Sequence, residues 1–266
     1  MTQDDRTRIF VISMRESLDR RAAFAERAND APVPWHFFDA HTEAMPGLVY
    51  DDAAAKVIRA RSLTKAEIGC YASHYALWTQ LLDDAGAEQY VVLEDDVIID
   101  WNFLKRIAQV DFGRSGIDYL RLYCLRPGSF VVRKYRYLEN RHLIQLMDPA
   151  YGTQGYVITR GGARRLIPRC NRIVRPIDSQ LDRYWDHGIP NLCLFPFPII
   201  EQFVSSTIGN LRSVAEEQAP GTRIERKLRW TRDQVERAAW RMTRSFSEFR
   251  DACDFVPEGR QASQSR

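Results

Sequence analysis

The chain has 266 residues, a hydrophobic fraction of 45% and a formal net charge of +3. That supplies enough apolar material for a sizeable core, and so small a charge gives no argument for a nucleic-acid partner. The charge is uneven, because residues 222–266 carry eleven Lys or Arg against seven Asp or Glu, a net of +4 that leaves −1 for the first 221.

Ile9–Ile12 predicts a first buried strand. Ser13 to Glu16 turn out of it, and Ser17 is placed to cap a helix reaching about Ala28, with Asp19 in its first turn. A strand, a turn and a helix N-terminus make an anion site, and Arg15, Arg20 and Arg21 surround this one; a solvated helix face explains the same arginines. Trp35–Phe38 predicts a second strand, and residues 42–61 show no clear period. Thr64 and Glu67 then form a capping box, with Leu63 and Ile68 at the staple positions. The helix that follows carries Ile68, Tyr71, Tyr75, Trp78 and Leu82 on one face, as a core helix does. Ser73 and His74 lie beside that face, where a hydrogen-bonded structural histidine is the plainest reading.

Tyr90–Leu93 predicts a buried strand that runs straight into Glu94, Asp95 and Asp96. A buried strand cannot hold three ionised carboxylates without partners. Their natural place is the strand's C-terminal end, where open α/β sheets bind ligands. Carboxylate oxygens there suit Mg²⁺ or Mn²⁺, which can hold a diphosphate. A solvated acidic turn, with Asp100 capping the next helix, accounts for the same residues. Trp101–Val110 then predicts a helix and Asp118–Leu122 a strand. Phe130–Arg136 and Leu143–Met147 predict a hairpin around Glu139 and Asn140. Gly152–Ile158 is a glycine-bearing loop entering a strand, after which Thr159 caps a helix; Pro176–Leu181 opens another. Asn191–Phe195 predicts a strand that leads through Pro196 and Pro198 to Ile199–Gln202, and residues 258–266 have the composition of a disordered end. The alternation predicts an α/β fold with a mainly parallel sheet. No Gly-x-Gly-x-x-Gly or Walker-type loop occurs, so a nucleotide would be held by a metal and scattered contacts.

The cysteines Cys70, Cys124, Cys170, Cys193 and Cys253 are widely separated, the pattern of reduced thiols. No apolar run approaches the ~20 residues of a membrane span, and Ile9–Met14 is too short for a signal-peptide core. The expectation is a cytoplasmic protein without a spanning anchor.

Taken in order, these pieces resemble glycosyltransferase family 25, the bacterial lipopolysaccharide glycosyltransferases. They are Val11–Arg21, Leu63–Cys70 with Ser73, His74 and Trp78, Val92–Val97, Gly152–Ile158 with Gly162 and Ala163, Pro176–Asp178, and Pro198–Gln202 with Ser205–Ile208. The likeness covers roughly residues 8–210. It departs where the family usually has Asn-Leu and this chain has Ser13-Met14. The resemblance implies a GT-A-like single domain over residues 1–215, with a central, mainly parallel sheet flanked by helices. A basic amphipathic helical tail, residues 216–266, would follow. It further implies an inverting, metal-dependent transferase that uses Mn²⁺ or Mg²⁺ and a UDP-sugar donor, typically UDP-galactose. The acceptor would be a lipopolysaccharide or lipooligosaccharide glycan; animal relatives glycosylate hydroxylysine in collagen.

On that resemblance Asp96 holds the metal, with Glu94 and Asp95 near the ribose or behind the metal. Ser13, Arg15, Arg20 and His74 line the donor pocket, and Gly152, Thr153 and Gln154 lie near the donor sugar. Asp178 is the candidate general base, although an N-cap role explains it equally, and Asp182 and Glu201 stand in reserve. Glu201, Gln202 and Ser206 bind the acceptor or close the site. Two other readings stay open. A metal-dependent phosphodiesterase would need a second ligand cluster, and His36, His41, His142 and His187 lack the spacing. A degenerate transferase could serve as a binding module. In the tail, Leu228, Val235, Ala239, Met242, Phe246 and Phe249 form one helical stripe. Arg226, Arg237, Arg241 and Arg244 lie opposite, with Trp230 beside them. Either the stripe packs on the domain and the arginines are solvated, or the tail makes a peripheral contact with an anionic inner membrane.

Overall fold

The computed structural model describes residues 6–202 and 231–240. In chain order the first half runs β1 (Thr7–Ser13), α1 (Leu18–Arg27), β2 (His36–Asp39), β3 (Val49–Tyr50), α2 (Asp52–Arg59), α3 (Lys65–Asp83), β4 (Gln89–Glu94), β5 (Val97–Ile99) and α4 (Trp101–Ala108). The second half runs β6 (Tyr119–Arg121), β7 (Phe130–Leu138), β8 (Arg141–Leu146), β9 (Gly155–Thr159), α5 (Arg160–Leu166), β10 (Arg172–Ile173), α6 (Ile177–Leu181), α7 (Tyr184–His187), β11 (Leu192–Phe195) and β12 (Ile199–Glu201).

Several helix starts are where local chemistry puts them. Thr64 accepts from the Glu67 amide while the Glu67 carboxylate accepts from the Thr64 amide. Asp100 caps α4 and Thr159 caps α5 through one side-chain oxygen each, accepting from the amides of Phe103 and Gly162. Ser17 departs from expectation and makes no side-chain cap bond. A backbone turn enters α1 instead, with Ser17 N donating to Met14 O and Leu18 N to Glu16 O. The aperiodic stretch before α3 contains α2, which Asp51 caps.

Eight strands form the main sheet, in the order β2-β1-β4-β9-β6-β11-β8-β7. It is mixed rather than mainly parallel. β2, β1 and β4 run parallel, but β9 inserts antiparallel between β4 and β6. The β7–β8 hairpin is antiparallel because its connection is too short for a crossover. β1 and β4 alternate strictly between the two faces. Phe10, Ile12, Tyr90 and Val92 enter the core shared with α3, and Ile9, Val11, Val91 and Leu93 enter the one shared with α1 and α4. α3 lies close enough to the His41 turn that a Cβ on Gly69 would overlap the His41 carbonyl, so only glycine fits there.

The parallel register pairs Ile12 with Glu94 and Ser13 with Asp39. The C-terminal ends of β1, β2 and β4 therefore share one sheet edge, and the acidic stretch leaves the sheet there.

Residues 231–240 are helical and pack against α7 and the Arg183 that precedes it through polar and aromatic side chains. Arg183 pairs with Asp233 at 2.6 Å and Glu236 at 3.0 Å, and Trp240 meets Tyr184 edge-on. Val235, of the expected apolar stripe, is 61% exposed, so in this segment the stripe does not face the domain. A cation at Arg183 and the ring of Trp185 draw the acidic and basic side of the helix inward instead. The stripe and arginine positions at 226–230 and 241–249 lie outside the described residues. Among the described residues no helix is long and apolar enough to cross a membrane, and Cys70, Cys124, Cys170 and Cys193 form no disulfide.

Candidate active site

The three consecutive carboxylates at the end of β4 receive different partners. Asp95 is buried and fully engaged. Its Oδ2 accepts from Ser13 Oγ at 2.6 Å, its Oδ1 accepts from Arg20, and its carbonyl accepts from Arg27. Glu94 points the other way. It accepts from Thr153 Oγ1 at 2.6 Å and lies 3.7 Å from His74 Nε2. Burial works against its ionisation, but His74, Thr153 and Arg20 hold its carboxyl below the usual range. Asp96 is the one left short. Arg20 Nη2 is 3.5 Å from its Oδ2, and its Oδ1 is buried without a hydrogen-bond partner. Burial, and then the charge of Glu94, push its carboxyl up to about 7, with Arg20 opposing and Asp95 and Glu201 adding.

His74 is wholly buried. Trp78 Nε1 and His74 Nδ1 each lie 2.9 Å from the Tyr156 hydroxyl. The hydroxyl accepts from the indole and shares a hydrogen bond with Nδ1, so the other ring nitrogen, Nε2, is the one that faces Glu94. His74 is thus both the hydrogen-bonded core histidine of the plain reading and a neighbour of the acidic cluster. Cys70, one turn earlier, brings its sulfur within 4.8 Å of the His74 and Glu94 donor atoms.

Thr153 and Gln154 arrive on a loop that passes through two left-handed residues, Tyr151 at φ +54° and Gly152 at φ +77°. Arg121 holds the Gly152 carbonyl at 2.7 Å, and the Gln154 carbonyl accepts from Glu94 N. The Gln154 Oε1 is buried and unpartnered. From the opposite side β12 pairs with β5, which sets Glu201 against Val97; Gln202 N donates to the Asp96 carbonyl at 2.7 Å. Glu201 accepts from Tyr123 Oη at 2.7 Å. Burial and Glu201 raise the Tyr123 hydroxyl above its usual range.

The site therefore collects Ser13, Arg20, His74, Glu94, Asp95, Asp96, Thr153, Gln154, Glu201 and Gln202 at one sheet edge. The model of glycosyltransferase family 25 (LPS biosynthesis protein) matches residues 6–181. The chain belongs to glycosyltransferase family 25. It is 30% identical over 169 residues to the lacto-N-neotetraose biosynthesis glycosyltransferase LgtE of Neisseria gonorrhoeae, covering 60% of this chain and 59% of that protein. It is 27% identical over 173 residues to procollagen galactosyltransferase 2 of Homo sapiens, covering 60% of this chain and 27% of that one. It is also 28% identical over 199 residues to a probable inactive glycosyltransferase 25 family member 3 of Bos taurus, covering 67% and 31%. The match thus spans less than two thirds of each of these relatives.

Other expected positions in this family 25 chain fall elsewhere. Arg15 is exposed in the β1–α1 turn, and Ser206 lies outside the described residues. Asp178 sits buried in the first turn of α6, where its Oδ1 accepts from Ser179 N at 2.6 Å. Asp182, a reserve base in the sequence reading, is a brace. Four donors engage it: Arg121 Nη2, Asn191 Nδ2 and the amides of Ala150 and Tyr151. A carboxylate so occupied is not available to accept a substrate proton. The sequence reading missed Tyr156, Tyr123 and Arg27, whose partners lie 68–82 residues away. No local pattern could have flagged them.

Proposed function

We propose that this chain is an inverting glycosyltransferase that moves galactose from UDP-galactose onto a lipopolysaccharide or lipooligosaccharide glycan, on a GT-A-like catalytic domain. The observation that carries the reading is the buried, unpartnered Oδ1 of Asp96 beside Glu94. These residues fit a hard divalent cation, because carboxylates crowded at a strand end lack the positive charge that would balance them. Mn²⁺ or Mg²⁺ held by Asp96, with Glu94 alongside, would neutralise the departing diphosphate. Arg20 contributes fixed positive charge on the same side. Thr153 and Gln154 orient the donor sugar, and the unsatisfied Gln154 Oε1 suits a sugar hydroxyl. The acceptor oxygen attacks the anomeric carbon, the bond to UDP breaks, and Asp178 takes the hydroxyl proton. Glu201, Gln202 and Ser206 close the acceptor side.

UDP-galactose hydrolysis, measured with and without Mn²⁺, tests the activity; UDP release that is absent, or indifferent to the metal, would sink it. The Asp178→Asn variant should lose at least about tenfold in turnover while its UDP affinity holds. If Glu201→Gln alone shows that split, the base is Glu201. The chain's place would be the cytoplasmic face of the inner membrane, with the tail touching anionic lipid. The exposed Val235 favours that reading over packing of the stripe. Salt-sensitive sedimentation with anionic but not neutral vesicles, lost on removal of residues 222–266, checks it.

A further inference from the structure

Beside α6, α7 and the tail helix lies a cavity of about 340 Å³ lined by Arg59, Arg175, Arg183, Arg232 and Arg237. Two of these cations are already committed. Arg183 pairs with Asp186, Asp233 and Glu236, and Arg232 with Glu236. Asp182, also in the wall, is spent on Arg121. Among the described residues Arg59, Arg175 and Arg237 make no ion pair, and the Nε atoms of Arg175 and Arg237 are buried without a hydrogen-bond partner. The ring of Trp185 fixes Arg237, whose guanidinium carbon lies 4.6 Å from the ring centroid. Burial, and then the like charge of Arg183, push the Arg175 guanidinium down to about 10, with Asp186 and Asp233 opposing.

A guanidinium does not shed its proton at neutral pH, so what relieves an excess of them, two with a buried Nε that has no partner, is an anion. Planar donors match the oxygens of a phosphate or carboxylate. The volume exceeds what a bare ion needs, and the rings of Tyr151 and Trp185 in the wall offer flat apolar surface for a sugar. The location gives the direction. Tyr151 is two residues before Thr153, which touches Glu94, and Ser179, another wall residue, follows Asp178. We propose that this cavity binds an anionic group, a phosphate or a carboxylate, on the acceptor glycan; the word acceptor rests on the transferase reading above.

Titration calorimetry on the full chain in phosphate-free buffer, with glucose 6-phosphate, glucuronate and glucose as probes, tests this. At least one charged sugar should bind and glucose should not; the tighter of the two charged probes identifies phosphate or carboxylate as the recognised group. Arg175→Gln and Arg237→Gln should each weaken that binding by at least about tenfold. Should Arg175→Gln fail to fold, Arg237→Gln, on the tail helix, carries the comparison. The proposal falls if no charged sugar binds, if the foldable variants bind like wild type, or if UDP displaces the bound sugar. That last result would assign the arginines to the donor. Arginine-dependent binding by a protein that never hydrolyses UDP-galactose would retain the anion site and remove only the transferase reading.

Discussion

Two neighbouring regions of this molecule are unbalanced in opposite directions. At the end of β4, Glu94, Asp95, Asp96 and Glu201 converge, and Arg20 is the guanidinium set among them. In the cavity by α6, five guanidiniums line a wall whose carboxylates are already paired. Between the two lies Arg121, which holds the Gly152 carbonyl with one nitrogen and Asp182 with another. The difference teaches which charges are structural. Asp95 with Ser13 and Arg20, and Asp182 with Arg121, have their partners and hold elements together. Asp96 on one side, and Arg175 and Arg237 on the other, have polar atoms buried without partners; those are the places where a ligand changes the energy most.

The strongest way to break the comparison is at the balanced centre. Asp182→Ala would leave Arg121 as a buried charge without its carboxylate and strip two amides of their acceptor. It should cost about 3–5 kcal/mol in denaturant unfolding, and a loss under 1 kcal/mol would show that the pair is no brace. Nearly as large is a pH effect in α7, below Trp185. His187 accepts from Ile189 N at Nδ1 and faces the Leu181 carbonyl with Nε2. Burial holds its pKa down, to about 4. Between pH 6.5 and 4 the unfolded chain therefore takes up the proton and the folded chain does not. This group's contribution is present above pH 6.5 and is lost on acidification, by about 3 kcal/mol. Unfolding curves across that window should steepen for wild type and flatten for His187→Gln; identical slopes would refute the assignment.

Asp96→Asn should separate function from stability. Turnover should drop at least about 100-fold, roughly 2.7 kcal/mol of barrier, while the melting temperature holds or rises because a crowded charge is gone. A drop in both would make Asp96 another structural carboxylate. The smallest effect belongs to Arg232. Its bond to Glu236 is an exposed i,i+4 pair, so Arg232→Ala should change stability by less than about 0.5 kcal/mol. A larger loss would mean that the cavity's arginines hold the tail helix in place.

Much of this was legible in advance, for local reasons. A capping box needs only Thr64 and Glu67, three residues apart, and both bonds form. The hairpin at Glu139 and Asn140 formed for the same reason, since adjacent strands with a short connection have one way to pair. Sheet direction was misjudged because β9 enters between β4 and β6 from far along the chain. Nothing in Gly155–Thr159 itself specifies which way its neighbours run. In the tail a helical period marks an apolar stripe but not which side a partner offers, and over residues 231–240 Arg183 and Trp185 offer the polar one.

The sequence by itself determined that an acidic triplet follows a buried strand, that capped helices alternate with strands, and that these pieces occur in the order of one glycosyltransferase family. Those are properties of neighbours and of spacing. Tertiary structure alone decided how the triplet divides its work. Ser13 comes to Asp95 across 82 residues, Thr153 comes to Glu94 across 59, and Asp96 is left with an unpartnered oxygen. It also decided that Asp182 is a brace and that arginines with no ion pair among the described residues face a cavity, because each depends on donors or partners from other elements. A residue's charge is written in the chain; whether that charge is already neutralised depends on what the fold brings within hydrogen-bonding distance.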